Sequence, residues 1–248
     1  MVRYLVYILA FMTVGILPAT AQSLGEEDFK RELSYGINFN SNGGLIGGAF
    51  IRSSHFMKKR MYQFGALEIV EVKHPKEYPV YNYETGDRFI FQKQNYLFVV
   101  RPQYGREYVL FRKAPESGVQ VNAIAAAGPS LGLLVPYYIQ YRYPGSGTNP
   151  QMMDIRTEQY DKEKHSDPYN IMGSANVFTG LGEAKINVGL HAKAGVSFEY
   201  GRYEESIAGI EVGFMYEQYA NKLNMIVDAE KYSQFLSVYL NLYYGSRR

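Results

Sequence analysis

Residues 184–200 read AKINVGLHAKAGVSFEY, and from Ala184 to Tyr200 every even position is apolar: Ala184, Ile186, Val188, Leu190, Ala192, Ala194, Val196, Phe198 and Tyr200. Polar residues or glycine fill the positions between. A period of two is the signature of a β-strand that puts alternate side chains on opposite faces. A half-buried strand in a soluble sheet shows the same alternation, but here the run is long and recurs in nearly every later segment. The pattern predicts a transmembrane β-barrel, with lipid outside and a polar interior.

The N-terminus agrees with export. Residues 1–21 carry Arg3, run apolar from Tyr4 through Leu17 and end Ala19-Thr20-Ala21, a small-x-small pattern that predicts cleavage before Gln22. The apolar run is shorter than the roughly 20 residues a helix needs to cross a bilayer. The expected organisation is therefore a signal peptide over 1–21 and one barrel domain over 22–248. The chain has no Cys, which excludes a lipidated cysteine and disulfides. A mean hydropathy of −0.26 excludes a helical membrane protein. With 24 Tyr, 14 Phe and no Trp, the aromatic girdle of such a barrel would be built of tyrosine. A net charge of +2 implies no nucleic-acid partner.

Eight strands account for the chain. Leu33, Tyr35, Ile37 and Phe39 alternate before a turn at Ser41-Asn42-Gly43-Gly44, and a glycine-rich return strand runs over about Leu45 to Ser53 into a basic turn, His55 to Arg60. A third strand is expected from Met61 to Lys73 and a fourth from Lys93 to Val109, separated by a tyrosine-rich loop. Odd positions are then apolar from Val119 to Tyr143. Parity is preserved across Pro129, so that stretch is read as one long strand with a bulge at the proline, which keeps the strand count even. The segment over 184–200 is the sixth strand, and two more follow, near Ala208–Tyr216 and Tyr232–Tyr244.

With eight strands both termini lie at one end, and the connections Ser41–Gly44, His74–Phe91, Pro144–Glu183 and Ala220–Lys231 lie at the other. Three of these four are long, the asymmetry of outer-membrane barrels. The last strand, with Leu236, Val238, Leu240, Leu242 and Tyr244 on one face, resembles the aromatic-rich final strand read by barrel-assembly machinery, although Gly245 to Arg248 extend beyond it. At the level of pattern the whole chain resembles small outer-membrane β-barrel proteins of the OmpA-barrel and OmpX kind, and its tyrosine-rich composition and Ala-x-Ala-Gln start resemble exported proteins of the Bacteroidota. The resemblance implies an eight-stranded antiparallel up-and-down barrel in a Gram-negative outer membrane, in contact with outer-membrane lipid and lipopolysaccharide. It brings no functional residues.

An eight-stranded barrel is only wide enough inside for side chains to fill it, which excludes a general porin. The expected lumen charges are Arg101 and Glu107 on the fourth strand, Lys185, His191, Lys193 and Glu199 on the sixth, and Glu211 and Glu217 on the seventh. Opposite charges on adjacent strands should pair there, giving a structural network or, alternatively, a gated ion path. A lipid-modifying enzyme built on His191 needs a nucleophile and a carboxylate brought to it; the contiguous His165-Ser166-Asp167 carries no weight, because triads are assembled in space. Asp154, Glu158, Asp161, Glu163 and Asp167 have the oxygen ligands of a Ca²⁺ site, but Arg156, Lys162 and Lys164 are interleaved, so a solvated mixed-charge loop is expected. No metal, cofactor or catalytic residue is assigned. Roughly 9 to 11 tilted residues cross a membrane, so the longer strands should project outward with exposed edges and tyrosine-rich loops. That favours a non-enzymatic interaction or assembly component, an accessory of a protein-secretion or cell-surface system, with a protein partner at the extracellular loops or protruding strands. A narrow selective channel is the alternative.

Overall fold

The computed structural model describes residues 30–43, 47–112, 118–143, 154–203 and 206–247. The export signal expected over 1–21 lies outside the described residues. Among the described residues there are thirteen strands: β1 (Arg31–Asn40), β2 (Gly48–Lys58), β3 (Met61–Val72), β4 (Pro79–Tyr81), β5 (Arg88–Ile90), β6 (Asn95–Phe111), β7 (Val119–Pro136), β8 (Tyr138–Tyr143), β9 (Asp154–Gln159), β10 (Ile171–Ser174), β11 (Lys185–Tyr203), β12 (Ser206–Leu223) and β13 (Tyr232–Arg247). Eight of them close a barrel in the order β1-β13-β12-β11-β7-β6-β3-β2, and every neighbouring pair is antiparallel. Stepping across the ladders from Ser246 through Leu33, Ser53, Gly65, Tyr104, Ala127, Ala192 and Tyr216 returns to β13 at Leu236, a stagger of ten residues. Such a stagger is what tilted strands need to close.

Alternation sorts the two faces. On β11 Ile186, Val188, Leu190, Phe198 and Tyr200 are exposed on the outer wall, while His191, Lys193, Ser197 and Glu199 are buried inside. The same holds for Ile210, Val212, Phe214 and Tyr216 against Glu211, Met215 and Glu217 on β12. A wall this continuously apolar is the mark of a surface that meets a membrane rather than water.

Several boundaries differ from the sequence reading. β2 carries through His55 to Lys58, and the turn is confined to Lys59 and Arg60, where Arg60 takes a positive φ of 66°. No bulge forms at Pro129. The β6–β7 ladder stops after Val100↔Leu131 and resumes at Tyr104↔Ala127 in unchanged register. Pro102 and Pro129 sit at the centre of that gap, so the two absent N–H groups fall opposite each other and the loss is confined to one place. The long fifth strand is two strands: β7 ends at Pro136, and after Tyr137 the chain leaves the wall as β8. β13 continues past Tyr244 to Arg247, so most of the supposed tail belongs to the wall.

β8 is the centre of a small sheet, β10-β8-β9, and β4 pairs with β5 as a hairpin beside it. Together they form a cap at the end of the barrel opposite the termini. Its core is Phe89, Tyr137, Ile139, Tyr141, Tyr160 and Ile171. The cap is fastened to the rim where the Tyr137 N–H donates to the Gln94 carbonyl (2.7 Å) and the Ile90 N–H to the Tyr137 hydroxyl (2.9 Å). The expected fence of protruding strands is thus capped, and its overhang is used as a foundation.

Inside the wall, bulky tyrosines of β13 lie across glycines of the next strands. A Cβ at Gly213 would fall 2.7 Å from the Tyr239 hydroxyl, and one at Gly209 would collide with the Tyr243 ring. Gly209→Val is expected to push Tyr243 off its seat and lower stability by about 1–3 kcal/mol, read from equilibrium urea unfolding of the refolded barrel; an unchanged midpoint would refute this role.

Candidate functional site: the charged lumen, its lid and the cap

The lumen is packed with ion pairs in three layers. Nearest the termini, Arg247 holds Glu32 (2.9 Å) and Glu199, the Tyr243 hydroxyl donates to Glu199 (3.0 Å), and the Asn122 amide donates to Glu107. In the middle, Glu211 accepts from Arg52 and from the Tyr239 hydroxyl (2.8 Å), with Lys193 at 3.5 Å. The Arg52 guanidinium also lies 4.7 Å from the Phe64 ring centroid, within cation–π range. In the outer layer Arg101 is forked on Glu217 (2.8 and 2.9 Å) and reaches Glu68 with its remaining nitrogen (2.8 Å).

Of the residues assigned to the lumen from the sequence, Arg101, Glu107, His191, Lys193, Glu199, Glu211 and Glu217 are buried inside the barrel. Lys185 is not, and its placement is corrected: it is exposed at the rim. The reason is local. The ladder of β11 with β12 begins only at Gly189↔Tyr219, so residues 185–188 pair with β7 alone and Lys185 stands clear of the opposing wall. Charges on neighbouring strands do pair, in Arg101–Glu68, Lys193–Glu211 and Arg247–Glu32, but Arg101–Glu217 and Arg52–Glu211 join strands that are not neighbours, because in so narrow a barrel long side chains meet across the axis. Glu32, Arg52, Glu68 and Arg247 were missed; the first three each sit between outward-facing residues, which was the available signal. Counting them, six carboxyl groups and four guanidinium or ammonium groups line the lumen among the described residues.

Ser130, His191 and Glu217 also meet. The Ser130 hydroxyl donates to Glu217 and lies 3.1 Å from His191 Nδ1. The wiring is not that of a nucleophile with an oriented base: the carboxylate takes the serine proton directly and is itself clamped by Arg101, and nothing in the group orients the imidazole. Above them Val70, Val72, Leu97, Val99, Leu134, Tyr219, Leu223, Met225 and Phe235 form an apolar plug.

The plug is bolted from above. The connection after β12 crosses the mouth and pairs with the segment leading into β6. Gln94 N–H donates to the Met225 carbonyl (2.8 Å), Val227 N–H to the Gln92 carbonyl (3.0 Å), and the Asn95 amide to the Asn224 carbonyl (2.7 Å). Lys93, in the middle of this lid, is buried in an ion pair with Glu77 and lies 4.2 Å from the Tyr96 ring centroid.

The mixed-charge stretch is solvated as expected, but it is built from β9 and hydrogen-bonded turns rather than an irregular loop. Asp154 pairs with Arg156 (2.6 Å), Asp161 accepts from the backbone of Glu163 and Lys164, and Asp167 accepts from Tyr169 N–H. The carboxylates diverge to separate partners, and no cluster suited to a metal ion occurs among the described residues. His165 is fully buried among Tyr141, Tyr143 and Tyr160. The outermost surface is tyrosine: Tyr78, Tyr81, Tyr83 and Tyr169 are exposed, Tyr83 by 95%. The hairpin that carries three of them is held to β10 by Asn82 on the Ile171 carbonyl (2.8 Å) and Thr85 on the Met172 carbonyl (2.7 Å).

No protein-family model and no curated protein matches this chain. Among solved structures, the surface protein NspA of Neisseria aligns over 91% of this chain and 100% of its own at 10% identity and a TM-score of 0.38. The attachment invasion locus protein Ail of Yersinia pestis aligns over 88% and 96% at 8% identity and 0.37, and its complex with the heparin analogue sucrose octasulfate at 9% and 0.36. The barrel assignment rests on the closed strand ladder of this chain.

Two outcomes follow from the geometry. Arg101→Met strips Glu217 of its cation, leaves Glu68 only the more distant Lys193 (3.8 Å) and is expected to cost about 3–5 kcal/mol, with part recovered when Glu217→Gln is added; urea unfolding of the two variants checks it, and additive losses would refute the coupling. In the cap, burial opposes ionisation of Glu158, but the Tyr143 hydroxyl and His165 outweigh it and hold the carboxyl below its usual range. A depressed folded-state pKa means stability present above the ordinary carboxylate value and lost as pH falls through the folded value. Hydrogen exchange of β8 and β9 amides should therefore quicken relative to barrel amides below about pH 4, and Glu158→Gln should remove that dependence.

Proposed function

We propose that this chain is a non-enzymatic outer-membrane barrel of a Gram-negative bacterium, of the Bacteroidota type, that works as an interaction or assembly component through its folded cap. On this reading residues 1–21 are the export signal, the apolar wall contacts outer-membrane lipid and lipopolysaccharide, and the short turns face the periplasm. The observation that carries it is the mouth. A backbone-paired lid over an apolar plug covers the lumen at the very end where the described parts of the long connections fold into a cap with exposed tyrosines. Tyrosine supplies a large contact area with two rotatable bonds to immobilise, which suits a docking surface. An accessory role in a protein-secretion or cell-surface system fits such a part.

A narrow channel is the second reading, and the excess of carboxyl groups over basic groups in the lumen favours it for cations alone. The two readings separate in one set of measurements. Protein bearing an affinity tag near Gly147 should co-purify with a stoichiometric protein partner from gently solubilised outer membranes, the combined Tyr81→Ser, Tyr83→Ser and Tyr169→Ser variant should lose that partner, and planar bilayers should stay silent. A clean monomer giving discrete, cation-selective steps that change with Lys193→Gln would replace this reading with the channel.

A further inference from the structure

The connection between β10 and β11 contains a 3-10 turn, Val177–Glu183, opened by Asn176, whose side chain accepts from Phe178 N–H (3.0 Å). In a 3-10 turn residues three apart eclipse one another. One face of this turn is spoken for. Gly180 is buried with no room for a side chain beside the Pro136 carbonyl, and Glu183 accepts from the Tyr138 hydroxyl (2.9 Å). Another face bears Phe178 and Leu181, which are 72% and 53% exposed. The turn packs against β7 and β8 at the rim, where Val135, on the outward-facing parity of β7, is fully buried. From Leu181, whose carbonyl accepts from Ala184 N–H (3.3 Å), the chain runs straight into the outer wall of β11, with Ile186, Val188 and Leu190 all exposed.

We infer that this turn is a membrane collar: Phe178 and Leu181 enter the interfacial layer of the outer leaflet and seat the cap on the lipid surface beside β7 and β11. The inference rests on the reading of the wall as lipid-facing, since its support is continuity. The apolar surface of β11 does not stop at the rim but continues onto the turn. A short amphipathic element whose apolar side chains meet the headgroup boundary gains by burying them there, while its polar face stays with the protein. The collar also fixes where the bilayer ends on this side of the barrel, at the level where Ile186 pairs with Leu133.

The chain contains no Trp, so single substitutions report cleanly. The full mature chain carrying Phe178→Trp or, separately, Leu181→Trp would be refolded into phosphatidylcholine vesicles whose acyl chains are brominated either close to the headgroup or close to the chain end. Phe214→Trp on the mid-wall and Tyr83→Trp at the tip serve as references. Both collar variants should emit to the blue of Tyr83→Trp and be quenched more by the shallow bromine than by the deep one, with Phe214→Trp showing the reverse preference. Collar tryptophans that behave like Tyr83→Trp while Phe214→Trp is quenched would overturn the collar. If Phe214→Trp is also unquenched, the lipid-facing reading of the wall fails and the collar fails with it.

Discussion

The β1–β13 seam is the contact on which everything else rests, because a sheet facing hydrocarbon has no water to satisfy an open edge. The first and last strands of the wall must find each other in one register, and this seam is held on both faces. Outside, Tyr35 stands opposite Tyr244 with ring centroids 6.2 Å apart. Inside, Arg247 joins Glu32 across the same seam and reaches on to Glu199 of β11. The chain after Tyr244 is therefore part of the closure, and the ten-residue stagger around the barrel follows from where that closure is made.

Closure creates the second constraint. An eight-stranded barrel leaves an interior that side chains must fill, and this one fills it with charge. Buried ion pairs contribute little net stability, since desolvation consumes most of their attraction, but a broken pair is costly. Their effect here is on specificity. Arg101 and Arg52 each tie together strands far apart in the ring, so a slip of one residue in any of those strands would turn a charge outward to the wall and leave its partner alone. Glycines at 209 and 213 serve the same end, giving the rings of Tyr243 and Tyr239 room to cross to Glu199 and Glu211. The network, its apolar plug and the lid that crosses to Gln92–Asn95 follow one another from the lumen to the mouth. The lid also shows how a connection too long for a turn becomes structure: it borrows the unpaired backbone entering β6, and the cap then rests on that same segment through Tyr137 and Gln94.

Alternation alone was enough to place the eight wall strands, to separate wall from lumen on β11 and β12, and to single out seven of the buried charged or titratable residues, because a period of two is a local property written into each strand. It placed Lys185 wrongly for the same reason: parity assigns a face, whereas whether that face is enclosed depends on where the neighbouring strand stops. The partners of the charges, the meeting of Ser130 with His191 and Glu217, the in-register passage past Pro102 and Pro129, the fold of the cap and the lid over the mouth were settled only in three dimensions. Each joins residues from separate segments of the chain, and no local periodicity carries that information; it is fixed by the diameter and stagger of the closed barrel, which decide which side chains share a layer and which connections can reach across the rim.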